Sequence, residues 1–344
     1  MKNIRTLLCC LVALTFASCE NIISDTDAPD NPVNVFEYFW NKLDTQYSFF
    51  DIKGIDWDSI HEVYRPMVYD EMTDDSLFNV CAAMISTLKD GHTNLWSDFN
   101  ISHSDSLFYL MIEGSQLNMN VVSANYLTSH GYTTGSFKHN FVRNGEVAYI
   151  NYSSFGNSIT DNDLRFVLDR YKDCKGMIID LRNNGGGSSA NMMKLLSIFD
   201  NHGQVLFKSQ IKSGPAHDEF SDFRTVYAAD SSFLGNNPYT KPVAVLIDRG
   251  SFSATSFFSV ATQAFPNIEL FGDYTSGGMG MPNGGTLPNG WHYRFSITRT
   301  IALDGNNYEN GVPPYQRVLL DPAMTAQGID NIIETAADWI IQHP

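Results

Sequence analysis

Between the apolar run Pro242-Val243-Ala244-Val245-Leu246-Ile247 and a second apolar stretch, Phe257 to Phe265 at helical spacing, lies Asp248-Arg249-Gly250-Ser251-Phe252-Ser253-Ala254-Thr255-Ser256. This order reads as a buried strand turning into a helix. A serine at such a turn has an exposed hydroxyl and the positive end of a helix beside it, the two things a nucleophile forming an oxyanion needs. The plainer alternative is that Ser251 or Ser253 caps the helix.

Three other segments carry comparable chemistry. Ile179-Asp180-Leu181-Arg182-Asn183-Asn184-Gly185-Gly186-Gly187-Ser188 follows a short apolar run. Its glycines let the backbone approach a ligand and turn amides into a cleft, or else simply make a tight strand-to-helix turn. No Gly-Lys-Ser/Thr follows, which disfavours a phosphate loop. His92 sits in Leu88-Lys89-Asp90-Gly91-His92-Thr93-Asn94, a turn carrying Asp-Gly. It is either a surface histidine or a base. Glu309 lies in the polar stretch Asp304 to Pro314, either as a solvated carboxylate or as a partner for that base.

The elements that must position these turns can be read from periodicity. Phe36, Phe39, Trp40, Leu43 and Tyr47, then Leu77, Val80, Cys81, Met84 and Leu88, mark helical faces. From Leu107 the pattern predicts strands, with one or two over Leu110 to Val122. Asn140 to Ile150 reads as a hairpin turned at Asn144-Gly145. Strands at Gly176–Leu181, Val243–Ile247 and Ile268–Phe271 alternate with helices at Asn191–Phe199 and Ala254–Phe265. That alternation predicts an α/β domain with a partly parallel sheet. Trp291, Tyr293, Phe295 and Ile297 alternate as a later strand, its aromatics packing in the core or lining a cleft. Ile329 to Ile340 reads as a terminal amphipathic helix.

Taken together, the motifs resemble peptidase family S41, the C-terminal processing and tail-specific proteases, with tricorn protease and the repeats of interphotoreceptor retinoid-binding protein. The resemblance rests on Lys89-Asp90-Gly91-His92-Thr93, the Asp-Leu-Arg-Asn-Asn-Gly-Gly-Gly run and Ser-Phe-Ser-Ala-Thr-Ser. It continues through Gly272-Asp273-Tyr274-Thr275-Ser276-Gly277-Gly278 and Glu309-Asn310-Gly311-Val312-Pro313-Pro314, all in the family's order. It implies a crotonase/ClpP-like α/β core with a small N-terminal helical domain. It further implies Ser253 as nucleophile, with an oxyanion hole from the amide of Gly185 or Gly186 and that of Ala254. The processing proteases use a lysine after Gly-x-Thr-x-Gly; this chain has Gly278 there and no lysine beyond Lys241. The tricorn-like branch uses a histidine and a late glutamate instead, matching His92 as base and Glu309 as orienting carboxylate. Gly91 stands where that branch has a serine, and Tyr315 where members often have aspartate. Too little chain separates Thr93 from the hairpin for the PDZ domain that many members carry.

The expected activity is hydrolysis of peptides or unfolded protein through an acyl-enzyme, with no metal or cofactor. The alternative is a non-catalytic binding protein for peptides or apolar ligands. The formal charge of −16 over 344 residues argues against nucleic acid as a partner.

Lys2 and Arg5 precede an apolar stretch, Leu7 to Phe16, and Phe16-Ala17-Ser18-Cys19 resembles the bacterial lipobox. The expected organisation is a signal peptide over 1–18, lipidation at Cys19 and a tether over 19–34. A helical domain over 35–95 and the α/β catalytic domain over 105–344 follow. The expected location is the cell envelope, periplasmic or at the cell surface and on the outer membrane, with the lipid as the sole membrane contact. Cys81 and Cys174 lie in apolar context and are expected to be free buried thiols.

Overall fold

The computed structural model describes residues 29–102, 104–199, 203–229, 234 and 237–343. Cys19, the signal segment and the first part of the tether lie outside the described residues. The first helix, Pro32–Gln46, starts inside the stretch read as tether, because Asn31 Oδ1 accepts the Asn34 N–H at 2.9 Å and Pro32 suits the first turn.

A seven-stranded sheet forms the centre, in the spatial order Gln316–Arg317, Ile268–Gly272, Val243–Ile247, Gly176–Asp180, Val147–Asn151, Phe137–Val142, Tyr132–Thr134. The first five strands are parallel; the last two continue antiparallel from Val147–Asn151. The central parallel strands Gly176–Asp180 and Val243–Ile247 are buried on both faces, so they read as apolar runs. Their side chains alternate between two cores. Met177, Ile179, Val243, Val245 and Ile247 pack under helices Asp161–Arg170, Ser189–Leu196 and Ala254–Ala261. Ile178, Ala244 and Leu246 pack against helix Asn331–Gln342 and the turn around Val122 to Leu127.

The expected hairpin is present. Val142 pairs with Val147, and Asn144 and Gly145 take φ of 55° and 94°. The expected strands over Leu110 to Val122 are not. The chain there forms helices Asp105–Glu113 and Met119–Val121. Gly114 ends the first, its N–H bonded to Leu110 O at 3.0 Å, and Asn118 Oδ1 caps the second. An apolar run this short carries no decisive period, and local capping decides it.

The N-terminal helices Pro32–Gln46, Phe50–Lys53, Trp57–Tyr64 and Asp74–Ser86 do not close a core of their own. Phe36, Phe39, Phe78 and Leu95 share one with Leu287, Trp291, Tyr293 and Phe295. Strand Asn94–Trp96 joins the same layer, pairing antiparallel with His292–Ser296. Trp291 and Tyr293 are therefore core residues, each 7% exposed. Cys81 and Cys174 are buried and free, and burial pushes the Cys81 thiol up to about 12.

One buried ionic network ties the glycine turn to the far end of the chain. Arg182, 0% exposed, donates from Nε and Nη2 to the two Asp180 oxygens at 2.9 and 2.6 Å, and from Nη1 to Asp330 Oδ2 at 2.9 Å. Tyr149 donates its hydroxyl to Asp180 at 2.6 Å. Asp330 in turn caps helix Asn331–Gln342 through the N–H groups of Ile332 and Ile333. Removing the cation strands two buried carboxylates. Arg182→Met is expected to lose about 3–5 kcal/mol of stability, read from the urea midpoint at constant m; a loss below about 1 kcal/mol is the contrary result.

Candidate active site

Strands Gly176–Asp180, Val243–Ile247 and Ile268–Gly272 are neighbours and parallel, so the turns that follow them lie together at their carboxyl ends. Asp248 holds two of these turns in register: its Oδ1 accepts the N–H groups of Asn183 at 2.8 Å and Gly250 at 2.9 Å. Asn184 adds a second link. Its carbonyl accepts the Phe252 N–H at 3.1 Å, and Thr255 Oγ1 donates to that carbonyl at 2.8 Å.

The two candidate serines separate cleanly. Ser251 is fully buried and donates its hydroxyl to Leu181 O at 2.8 Å, a structural bond. Ser253 occupies the N-cap position of helix Ala254–Ala261, yet its side chain caps nothing. Its backbone stands at φ 55°, ψ −119°, where non-glycine residues rarely sit. Forgoing a cap costs about 1 kcal/mol and the strained backbone about 1–3 kcal/mol. A residue present for stability would incur neither cost. What the geometry gives instead is a hydroxyl aimed at His92, with Ser253 Oγ and His92 Nε2 2.9 Å apart.

His92 reaches that position from the turn before strand Asn94–Trp96. The carboxylate of Asp90 accepts the His92 N–H at 2.8 Å, and Thr93 N–H bonds Asp90 O at 3.0 Å, which fixes the turn. The ring is buried, 6% exposed. Burial holds its pKa below the ordinary imidazole value; Asp90 opposes that shift and Arg294 adds to it. The ring is thus kept neutral and able to accept a proton. No bond of good geometry reaches Nδ1 among the described residues, although the Gly280 carbonyl faces the ring.

Glu309 lies in this neighbourhood but not on the ring, so the expected series of hydroxyl, ring and carboxylate breaks at its second link. Its Oε1 sits 3.3 Å from Lys53 Nζ, and its Oε2 accepts the Met279 N–H at 2.7 Å. The loop is pressed against Gly277, where an added Cβ would lie 1.7 Å from the Glu309 carbonyl oxygen. Burial, reinforced by Asp90 and opposed by Lys53, pushes the Glu309 carboxyl up to about 8.

The glycine turn differs from expectation in one detail. The Gly186 N–H is engaged by Asn184 Oδ1 at 3.0 Å. The N–H groups of Gly185 and Ala254 have no partner among the described residues, so Gly185 is the glycine amide free to face a ligand with Ala254. Gly186 has a different use. A Cβ there would meet Phe252 O at 2.6 Å, Ala254 N at 2.8 Å and Ser253 Cβ at 2.9 Å. Its lack of a side chain lets the two turns close.

Sequence reasoning missed Lys53, Phe252 and the part played by Asp90. The Phe252 ring lies 4.9 Å from the His92 ring and fills the space beside Gly91 and Gly278. Lys53 ends a four-residue helix and carries no signal of its own. Asp90 was legible as a turn residue, but not as the carboxylate facing the ring.

A strained serine on a strand-to-helix turn, hydrogen-bonded to a buried neutral histidine and flanked by free amides, defines a serine-nucleophile site on an α/β core. Residues 146–318 match the profile of peptidase family S41, and residues 30–86 match the tricorn protease C1 domain. The chain belongs to peptidase family S41. It is similar to the crystal structure of a candidate peptidase from Parabacteroides merdae, with 31% identity, 91% of this chain and 97% of that one covered, and a TM-score of 0.84. The carboxy-terminal processing protease CtpA of Bacillus subtilis is 23% identical over 176 residues, covering 50% of this chain and 35% of that protein. This chain thus matches about a third of that curated relative. The structure of mature CPAF shares the fold, at 12% identity and a TM-score of 0.64, over 90% of this chain and 96% of that one.

Gly186→Ala is the sharpest test of the turn-on-turn closure. The new Cβ meets backbone on two sides and the residue stands at φ 92°. A site displaced by even about 1 Å loses reactivity of about a hundredfold. The expected outcome is that loss in Ser253 labelling by an active-site phosphonate, and labelling at the wild-type rate is the contrary one.

Proposed function

We propose that the protein hydrolyses peptide bonds in peptides or unfolded protein segments through an acyl-enzyme on Ser253. The Ser253 Oγ–His92 Nε2 bond of 2.9 Å at a strained turn carries this reading. His92 takes the hydroxyl proton as Oγ bonds the scissile carbonyl carbon, then returns it to the amine as the C–N bond breaks. Water repeats the cycle on the ester and releases the acid. The amides of Ala254 and Gly185 would face the oxyanion, each donor contributing on the order of 3 kcal/mol. Glu309, when ionised, would favour the imidazolium through space rather than by direct contact.

A fluorophosphonate probe tests this. Labelling of the wild type that vanishes in Ser253→Ala is expected, and failure to label well-folded wild-type protein would favour a binding protein instead. The rate should decline on acidification as His92 protonates. Because burial depresses that pKa, the step due to His92 belongs below the value of about 6.5 of a free imidazole.

The envelope location is part of the same proposal. Its support is the sequence Phe16-Ala17-Ser18-Cys19 behind a basic, then apolar, start. Cys19→Ala is expected to move the protein from the membrane fraction to the soluble one; continued membrane attachment would remove the lipid anchor from the reading.

A further inference from the structure

We propose that Lys53 is a positioning residue for the Ser253–His92 pair, favouring the charged form of Glu309 and clamping the His92 turn to the Glu309 loop. This rests on the peptidase reading above. Lys53 closes helix Phe50–Lys53, and Gly54 in the left-handed region, φ 63°, ends the helix there. Its side chain is 8% exposed. The ammonium has two partners, Glu309 Oε1 at 3.3 Å and the Lys89 carbonyl at 3.2 Å. Lys89 begins the turn that carries His92, and it stands at φ 48°. One cation from the helical layer therefore touches both the segment that delivers the base and the segment that delivers the carboxylate.

The charges around this point explain why a cation is needed. Asp90, 2% exposed, and Glu309, 3% exposed, are close enough for the charge of Asp90 to push the Glu309 carboxyl up. Tyr47 adds a hydroxyl from the end of the first helix whose ionisation is pushed up by burial first, with Asp90 and Glu309 adding to it. Arg294, from strand His292–Ser296, faces His92 and Asp90 and donates Nε to Asn94 Oδ1 at 2.8 Å. Among the described residues, Lys53 is the cation in contact with Glu309. With the ammonium in contact, Glu309 ionises over part of the pH range. Without it, Glu309 keeps its proton to higher pH, because a buried unpaired charge is far costlier than a neutral acid. A neutral Glu309 gives no support to the imidazolium that forms when Ser253 loses its proton.

Lys53 is not a base in disguise. Its Nζ is engaged by Glu309 Oε1 and the Lys89 carbonyl, whereas the Ser253 hydroxyl meets His92. It acts through Glu309, and its signature is in the pH profile. The wild-type rate of fluorophosphonate labelling should rise twice with pH: once as His92 deprotonates, and again near the Glu309 value of about 8. In Lys53→Met the second rise should move up by about one unit or more. Lys53→Arg keeps the cation and should bring it back toward the wild-type position. Glu309→Gln should abolish the second rise, and adding Lys53→Met to it should then change nothing further in the profile. Should Lys53→Met fail to fold, Lys53→Gln, which keeps donors but no charge, carries the same reading.

The inference is overturned if Lys53→Met and Lys53→Arg give the same profile. It is equally overturned if Lys53→Met shifts the profile as much in the Glu309→Gln background as in the wild-type one. Both results leave the peptidase reading standing. Absence of wild-type labelling removes both at once.

Discussion

The backbone of Ser253 is the constraint on which the rest depends. At φ 55°, ψ −119° it lies where a side chain is poorly tolerated, and it stays there because its surroundings over-determine it. Its N–H bonds Gly277 O at 3.0 Å and its carbonyl accepts the Phe257 N–H at 3.0 Å. Asn184 holds the residues on either side, and Gly186 packs against the Ser253 Cβ with nothing to spare. Several ordinary hydrogen bonds, each about 1 kcal/mol net, offset a local strain of about 1–3 kcal/mol. The conformation turns the hydroxyl out of the helix start and toward the imidazole.

Beneath the turns lies a polar floor that the apolar strands alone could not supply. Asp248, Asp180, Arg182 and Asp330 are each 0% exposed. Burying that many charges is unfavourable unless each is met, and here each is. Asp248 is raised by burial despite its backbone donors, so even a well-bonded carboxylate at this depth is held under tension. The floor's return is rigidity: it locks the two turns that carry Gly185 and Ala254 and a C-terminal helix into one frame.

Much of this was legible in the residues. Strand Val243–Ile247 falls where its apolar run stops, and the hairpin turns at Asn144-Gly145, because period and turn chemistry are local. The pairing of Ser253 with His92 was legible as a likeness of motifs, but its geometry spans 161 residues and comes only from the fold. What stayed hidden is equally physical. Helices Asp105–Glu113 and Met119–Val121 stayed hidden because an apolar run this short carries no decisive period; a Gly114 backbone cap ends the first and Asn118 starts the second. The helical segment looks separable in sequence, yet part of its core comes from Leu287 to Phe295. Lys53 is one lysine among many until Glu309 and the Lys89 carbonyl are placed beside it.

The absence of a lysine base has a steric side that residue identity alone does not convey. Gly278 stands at φ 75°, and an added Cβ would meet the Phe252 ring at 2.4 Å. At Gly91, where relatives of the tricorn type carry a serine, an added Cβ would meet the same ring at 2.8 Å and Leu107 at 2.9 Å. One phenylalanine therefore occupies the volume through which either side chain would have to enter, and its ring also lies against that of His92. Packing against Phe252 desolvates that ring, which favours the neutral form and hence the base. The histidine ring and the two glycines thus all pack against one aromatic residue beside the nucleophile. Restoring a lysine at position 278 would require giving up the contact that shapes the imidazole.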